Sequence, residues 1–127
     1  MQNRKPIELA IVDQREVLGK DFKIYGTKEN PLFLAKDVAE RIDYSKDGKG
    51  NYNVSSMLMT IDEDEKVKIH TNLNNSKVGS NTWFLTEQGL YEVLFQSRKP
   101  IAKEFKKEVK KILKQIRTTG GYIPARD

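Results

Sequence analysis

Branched and aromatic residues gather twice near the start of the chain, over Ile7 to Val12 and over Asp21 to Tyr25, as they do in strands. Gly26-Thr-Lys-Glu-Asn-Pro31 is dense in turn formers and is followed by Leu32-Phe-Leu34, so Phe22 to Leu34 predicts a β-hairpin. After Leu34 the period changes. Ala35, Val38, Ala39 and Ile42 fall at i, i+3, i+4 and i+7, the spacing of one helix face, and predict a short helix ending near Asp43. Tyr44 to Tyr52, with Gly48 and Gly50, reads as a polar loop. Val54, Met57, Leu58 and Ile61 then repeat the helical spacing and predict a second short helix over 53–61, capped by Asn53.

The acidic run Asp62-Glu-Asp-Glu65 has no apolar face and is expected in solvent, whereas Val67, Ile69 and Thr71 alternate with polar neighbours like a half-buried strand. A loop of Asn, Ser and Gly separates it from a partner strand at Thr82 to Leu85. Thr86 is placed to cap a third helix, whose apolar residues are Leu90, Val93 and Leu94 with Tyr91 and Phe95 alongside, and which stops near Ser97. Pro100 suits a helical first turn because its missing N–H has no partner there in any case. From it runs a helix of about five turns. Ile101, Phe105, Val109, Ile112, Leu113 and Ile116 share one face, lysines cover the other, and Gly120-Gly121 supplies the stop. The expected fold is α+β: small antiparallel strands and hairpins, a helix-turn-helix-like pair of short helices, and a long basic amphipathic C-terminal helix. No linker or repeat divides the 127 residues, so a single domain spanning 1–127 with an ordered core over about 7–122 is expected.

Charge changes this picture because of where it lies. The chain carries 23 Lys+Arg against 18 Asp+Glu, a net charge of +5. Between Arg98 and Arg117 nine residues are basic and two acidic, a local +7, which leaves the rest at −2. The absence of Cys excludes disulfides and thiolate metal sites, and a single His70 excludes multi-histidine sites and zinc fingers. No cofactor is expected. No apolar run approaches the roughly 20 residues needed to span a bilayer, and Met1 to Pro6 lead into no signal-peptide hydrophobic region. A cytoplasmic protein without membrane contact is expected.

The lysine face of 100–117 is the strongest candidate for chemistry, because a rigid helix presents several cations to phosphates at fixed spacing. The plainer reading is a solvated face with Glu104–Lys107 and Glu108–Lys111 ion pairs. The short-helix pair resembles a loose helix-turn-helix. Its second helix turns Ser55, Ser56, Met59 and Thr60 outward, small or flexible groups able to approach base edges, though the loop holding Lys46, Lys49 and Asn51 exceeds the usual 3 to 4 residues. The inventory for an enzyme is poor. His70 alternates on a strand with Ile69 and Thr71, and the acidic run 62–65 lacks the spaced ligands and turn glycine of a calcium loop. Trp83-Phe84 and Tyr91 read as core packing rather than base-stacking aromatics.

Four segments in order carry a resemblance: Phe33-Leu-Ala-Lys-Asp-Val-Ala-Glu40; Leu85-Thr-Glu-Gln-Gly-Leu-Tyr91; Ser97-Arg-Lys-Pro100 with Ala102, Phe105 and Lys106; and Ile116-Arg-Thr-Thr-Gly-Gly-Tyr122. Together they resemble the BRO-type N-terminal domain of phage antirepressors and of proteins of large DNA viruses, over roughly residues 20–122. Two positions depart from the family. Leu32 stands where many members carry an aromatic, and Lys107 or Glu108 stands where a Trp is typical of the last helix. The resemblance implies a DNA-binding regulatory domain of mixed α+β type, the front half of a longer protein whose C-terminal half lies beyond Asp127. In prophages such proteins act in the bacterial host cytoplasm, switching the phage from lysogeny to lytic growth.

On this reading double-stranded DNA is the first expected partner. Arg98, Lys99, Lys103, Lys106, Lys107 and Lys110 are the phosphate candidates, and Asn51, Asn53, Ser55 and Ser56 the base-edge candidates. Gly89, Gly120 and Gly121 are expected to be structural. The rival from another class is a protein–protein module that binds and inactivates a phage repressor without touching DNA. A homodimer through an apolar strip beside Ile116 and Tyr122 is a further expectation, since regulatory DNA-binding domains pair on symmetric half-sites.

Overall fold

The computed structural model describes residues 8–73 and 79–119. Strand β1 (Ile11–Val17) turns at Leu18 and Gly19, with φ of 51° and 86°, into β2 (Lys20–Gly26), and the two pair antiparallel. Leu18 is a rare non-glycine in the left-handed region and leaves its side chain exposed. The predicted hairpin over Phe22 to Leu34 forms: β2 pairs antiparallel with β3 (Pro31–Leu34), Tyr25 facing Leu32 and Gly26 facing Pro31. Gly26 is required there. Its φ is 92°, and a Cβ would lie 2.6 Å from the Asn30 carbonyl oxygen.

Strand β3 runs directly into helix α1 (Ala35–Arg41), and the sheet is completed by the hairpin of β4 (Lys66–Thr71) and β5 (Ser80–Leu85). Pairing of β3 with β5 gives the order β1-β2-β3-β5-β4, antiparallel throughout. Helix α2 (Val54–Leu58) and one 3₁₀ turn, Glu63–Glu65, lie between α1 and β4. Helices α3 (Glu87–Gln96) and α4 (Pro100–Thr119) close the chain. The architecture is the expected α+β.

Strand alternation explains the layering. Phe22 and Ile24 of β2, Phe33 of β3 and Leu85 of β5 point to the helix side and are buried with Val38, Ala39, Leu90 and Leu94. Tyr25 and Phe84 point the other way, also buried, with ring centroids 5.5 Å apart. Trp83 and Tyr91 are half-buried against the core rather than inside it. Helix α4 lays Ala102, Phe105, Val109, Ile112, Leu113 and Ile116 into the core, and the Phe105 ring meets Phe22 edge-on at 5.0 Å. Since Ile116 is fully buried, no apolar strip is exposed at that position. Tyr122, Gly120, Gly121 and Ile7 lie outside the described residues.

Several boundaries differ from the sequence expectation. The first strand covers Ile11–Val17 rather than Ile7–Val12, because its sheet-facing polar residues find partners. The buried Asp13 carboxylate accepts two bonds of 2.7 Å from Arg15, whose other Nη reaches Gln115 of α4 at 2.8 Å. Helix α2 is one short run, and Asn53 precedes it without a side-chain capping bond. Thr86 does cap α3, its Oγ1 accepting from Gly89 N at 3.1 Å. Gly89 itself is needed for close packing, since a Cβ there would lie 2.1 Å from the Glu65 carbonyl oxygen.

One side chain fastens α1 to the first hairpin. The Arg41 guanidinium donates to the Val17, Lys20 and Asp21 carbonyls at 2.5, 2.5 and 2.6 Å. It also lies 5.2 Å from the Phe22 ring centroid and 6.0 Å from that of Phe105. Burial lowers its pKa, with Asp37, Glu40 and Asp21 acting in the opposite sense.

Candidate nucleic-acid interface

With six residues of α4 committed to the core, the helical step of about 100° per residue decides what faces out. Lys103, Lys106, Lys107, Lys110 and Lys114 fall at i, i+3, i+4, i+7 and i+11 and form one stripe, about 16 Å long at 1.5 Å per residue. Lys106 is half-buried and the other four are exposed. Among the described residues, this outward face holds two ion pairs, Lys111 Nζ to Glu108 Oε2 at 3.3 Å and, at its C-terminal end, Arg117 to Glu87 of α3 at 2.7 Å. The Glu104–Lys107 pair that the spacing allowed does not form. Among the described residues the stripe lysines have no carboxylate partner, and Lys110 Nζ sits 5.6 Å from the centroid of the Tyr91 ring.

The two ends of the basic segment are anchored. Before α4, Lys99 Nζ donates to the Asp43 backbone carbonyl and lies 3.3 Å from its carboxylate, joining the start of α4 to the end of α1. Lys99 in turn holds the Asp43 carboxyl below the usual carboxylate range. Near the other end, Arg117 grips Glu87 of α3 with bonds of 2.7 and 3.2 Å and donates to the Lys28 carbonyl at 2.9 Å. Tyr91 donates to the same Glu87 carboxylate at 2.8 Å. The Arg117 bond holds Glu87 below its usual pKa, while burial and the Glu87 carboxylate push Tyr91 far up. Of the phosphate candidates, then, Lys99 is occupied, whereas Arg98 is exposed beside it and the four lysines lie on one face.

The base-edge candidates are less coherent. Ser55 and Ser56 are exposed on α2, as their helical positions predict, but Asn53 is half-buried. The connection from α1 to α2, residues 42–53, is a small structure of its own rather than a tight turn. Asp47 accepts the backbone N–H groups of Lys49 and Asn51 at 2.8 and 3.0 Å, Lys46 pairs with Tyr52, and Lys46 Nζ lies 4.8 Å from the Tyr52 ring. Asn51 lines a groove with Asp21, Lys23, Lys36, Asp37 and Glu40, to which no lysine of α4 contributes. Burial raises the Asp37 pKa there. Four of the six phosphate candidates thus share α4, with Arg98 and Lys99 just before it, while Asn51 stands apart from them.

Met59, read from the sequence as outward-facing, is 82% exposed after α2, whereas Phe95, 77% exposed on α3, escapes the sequence reading. For Phe95 the signal was present, since it lies about 140° round the helix from Leu90. The nearby helix ends are tied by a bond of 3.2 Å from Gln96 to the Thr60 carbonyl. His70 is a half-exposed strand residue with a ring nitrogen 3.2 Å from Asn81 Oδ1. No helix among the described residues is long and apolar enough to cross a membrane.

The sequence matches the BRO family, N-terminal domain, over residues 21–115. It is also similar, at 27% identity over 115 residues, to the Bro-N domain-containing protein 019R of Invertebrate iridescent virus 3; the match takes in 79% of this chain and 28% of the relative. The chain therefore spans under a third of the length of that relative. No solved structure matches it. With the matched region running from β2 through most of α4, and so including the lysine stripe and the core beneath it, the chain belongs to the BRO family as a Bro-N domain.

Proposed function

We propose that this domain is a DNA-binding regulatory module of the phage antirepressor type. It grips the phosphates of duplex DNA through the outward face of α4, with the exposed Ser55 and Ser56 of α2 as candidates for base edges, and it serves the choice between lysogenic and lytic growth in a bacterial host. The observation that carries this reading is the row of stripe lysines without carboxylate partners on a helix whose opposite face is locked into the core. The helix fixes the spacing of these cations before the ligand arrives, so the ordering entropy that opposes binding is confined to the lysine side chains. Family membership supports a regulatory, DNA-binding role at the coarser level.

The test is fluorescence anisotropy of the domain with a labelled random-sequence duplex across a salt series. Each neutralised phosphate adds about −0.9 to the log–log slope, so Arg98 and the five stripe lysines set an upper bound of roughly −5. Replacing Lys103, Lys107 and Lys110 by Ala should flatten the slope by about 2.7. Absence of binding at low salt would refute the DNA reading and redirect the search to a protein partner such as a phage repressor.

A further inference from the structure

Helices α3 and α4 run in opposite directions. Glu87 meets Arg117, and one turn further along α3 and two turns back along α4 Tyr91 lies under Lys110. Phe95 follows Tyr91 by one more turn, toward the junction of the helices, where the chain carries Arg98 and Lys103. On α3 itself the carboxylate one turn before Phe95 is Glu92, which accepts from Gln96 at 3.2 Å, and α4 adds an uneven charge. Measured round α4 from Lys103, Lys106 and Lys110 lie on the α3 flank, whereas Glu104 and Glu108 lie about 100–140° away on the other. A phenyl ring 77% exposed, on the helix against which this cationic flank lies, is well suited to a polyanion with stackable bases.

We propose that Phe95 is an apolar wedge that enters between base steps of duplex DNA while Lys103, Lys106 and Lys110 hold the phosphates beside it. This rests on the DNA-binding reading above and adds a consequence that reading does not require: the bound duplex is unstacked at one step and bent. Side chains of this kind, inserted from an element already anchored to the backbone, kink DNA and favour the flexible TA step.

The experiment uses duplexes centred on a TA step that carry 2-aminopurine beside it and a donor–acceptor dye pair at their ends. The expected result is a rise in 2-aminopurine emission and a shortened end-to-end distance when the domain binds. Phe95→Ser should abolish both and weaken affinity about tenfold with the salt slope unchanged, and Phe95→Leu should retain most of the bend. The side chain is exposed, so an unaltered melting curve will confirm that Phe95→Ser folds. Salt-dependent binding without bending or unstacking, or an equal bend with Phe95→Ser, overturns the wedge and leaves the DNA reading intact. No binding to any duplex at low salt overturns both. Sedimentation showing that the parent dimerises and Phe95→Ser does not, with duplex bending unaffected, would assign the ring to a second copy of the chain and overturn the wedge.

Discussion

Replacing Arg41 by Ala should be among the most damaging single changes outside the apolar core, and the size of the loss can be worked from its contacts. The guanidinium supplies three hydrogen bonds, to the carbonyls of Val17, Lys20 and Asp21. The bond to Val17 is part-buried and charge-assisted and contributes about 1.5 kcal/mol, while the other two carbonyls are reachable by water and contribute about 0.5 kcal/mol each. Stacking over Phe22 adds about 0.5 kcal/mol. The total is about 3 kcal/mol, a large share of the stability of any domain this size. At roughly 3–5 °C per kcal/mol for a chain of this length, the melting temperature should fall by about 10 °C. Arg41→Lys retains the charge but offers a point donor in place of a planar fork, so it should recover less than half of the loss. Thermal unfolding followed by circular dichroism reads both variants. A fall of under about 3 °C for Arg41→Ala, or a Lys variant as stable as the parent, would show that the three carbonyls are equally well served by water and refute the reasoning.

Gly89→Ala should cost at least about 2 kcal/mol, visible as a lowered denaturation midpoint, because the new methyl group meets the backbone carbonyl of Glu65 rather than a side chain able to rotate away. Two carboxylates should show opposite pH dependences. The Glu87 pKa is depressed in the fold by Arg117, so its stabilisation is present above the unfolded value of about 4.3 and is lost as pH falls through the folded pKa. The melting-temperature gap between parent and Glu87→Gln should accordingly be wide at neutral pH and close in acid. Asp37 is raised by burial, so its ionised form opposes folding at neutral pH and its protonated form does not. Asp37→Asn should raise the melting temperature at neutral pH, with the gain vanishing as pH falls below about 4, and a gain unaltered by pH would refute that cause.

Period and capping chemistry were legible wherever the relevant partners are close in sequence. The 3.6-residue spacing placed the buried face of α4 and the outward lysines, Thr86 announced the start of α3, and the turn formers before Pro31 announced the β2–β3 hairpin. The first strand was displaced because Asp13 to Glu16 is polar. Its burial depends on Arg15 closing on Asp13 and on Gln115, a residue of the far helix. The helix after residue 53 was overextended because Ile61 continues the apolar spacing, yet the backbone leaves the helix at Met59 and enters the 3₁₀ turn at Glu63. The sheet order, with β5 inserted between β3 and β4, is set by packing and no local signal carries it.

At the candidate interface the lysine face was visible, but its division into engaged and disengaged cations was not. Lys99 and Arg117 look like any other basic residue in the string. They are set apart by Asp43 and Glu87, residues brought near only by the fold. Charge counting alone therefore overstates how much of the segment is available to a polyanion.

Because α4 is at once a wall of the core and the bearer of the lysines, truncation cannot dissect its roles. A chain cut before Pro100 would lose Phe105, Val109, Ile112 and Leu113 together with every stripe cation, and a failure of that fragment to bind any ligand would report only collapse of the domain. The outward positions can be rewritten one at a time with little effect on the packing beneath them. A lineage of such domains could thus change what it grips by drift on one side of a single helix, while the other side stays fixed by the need to fold.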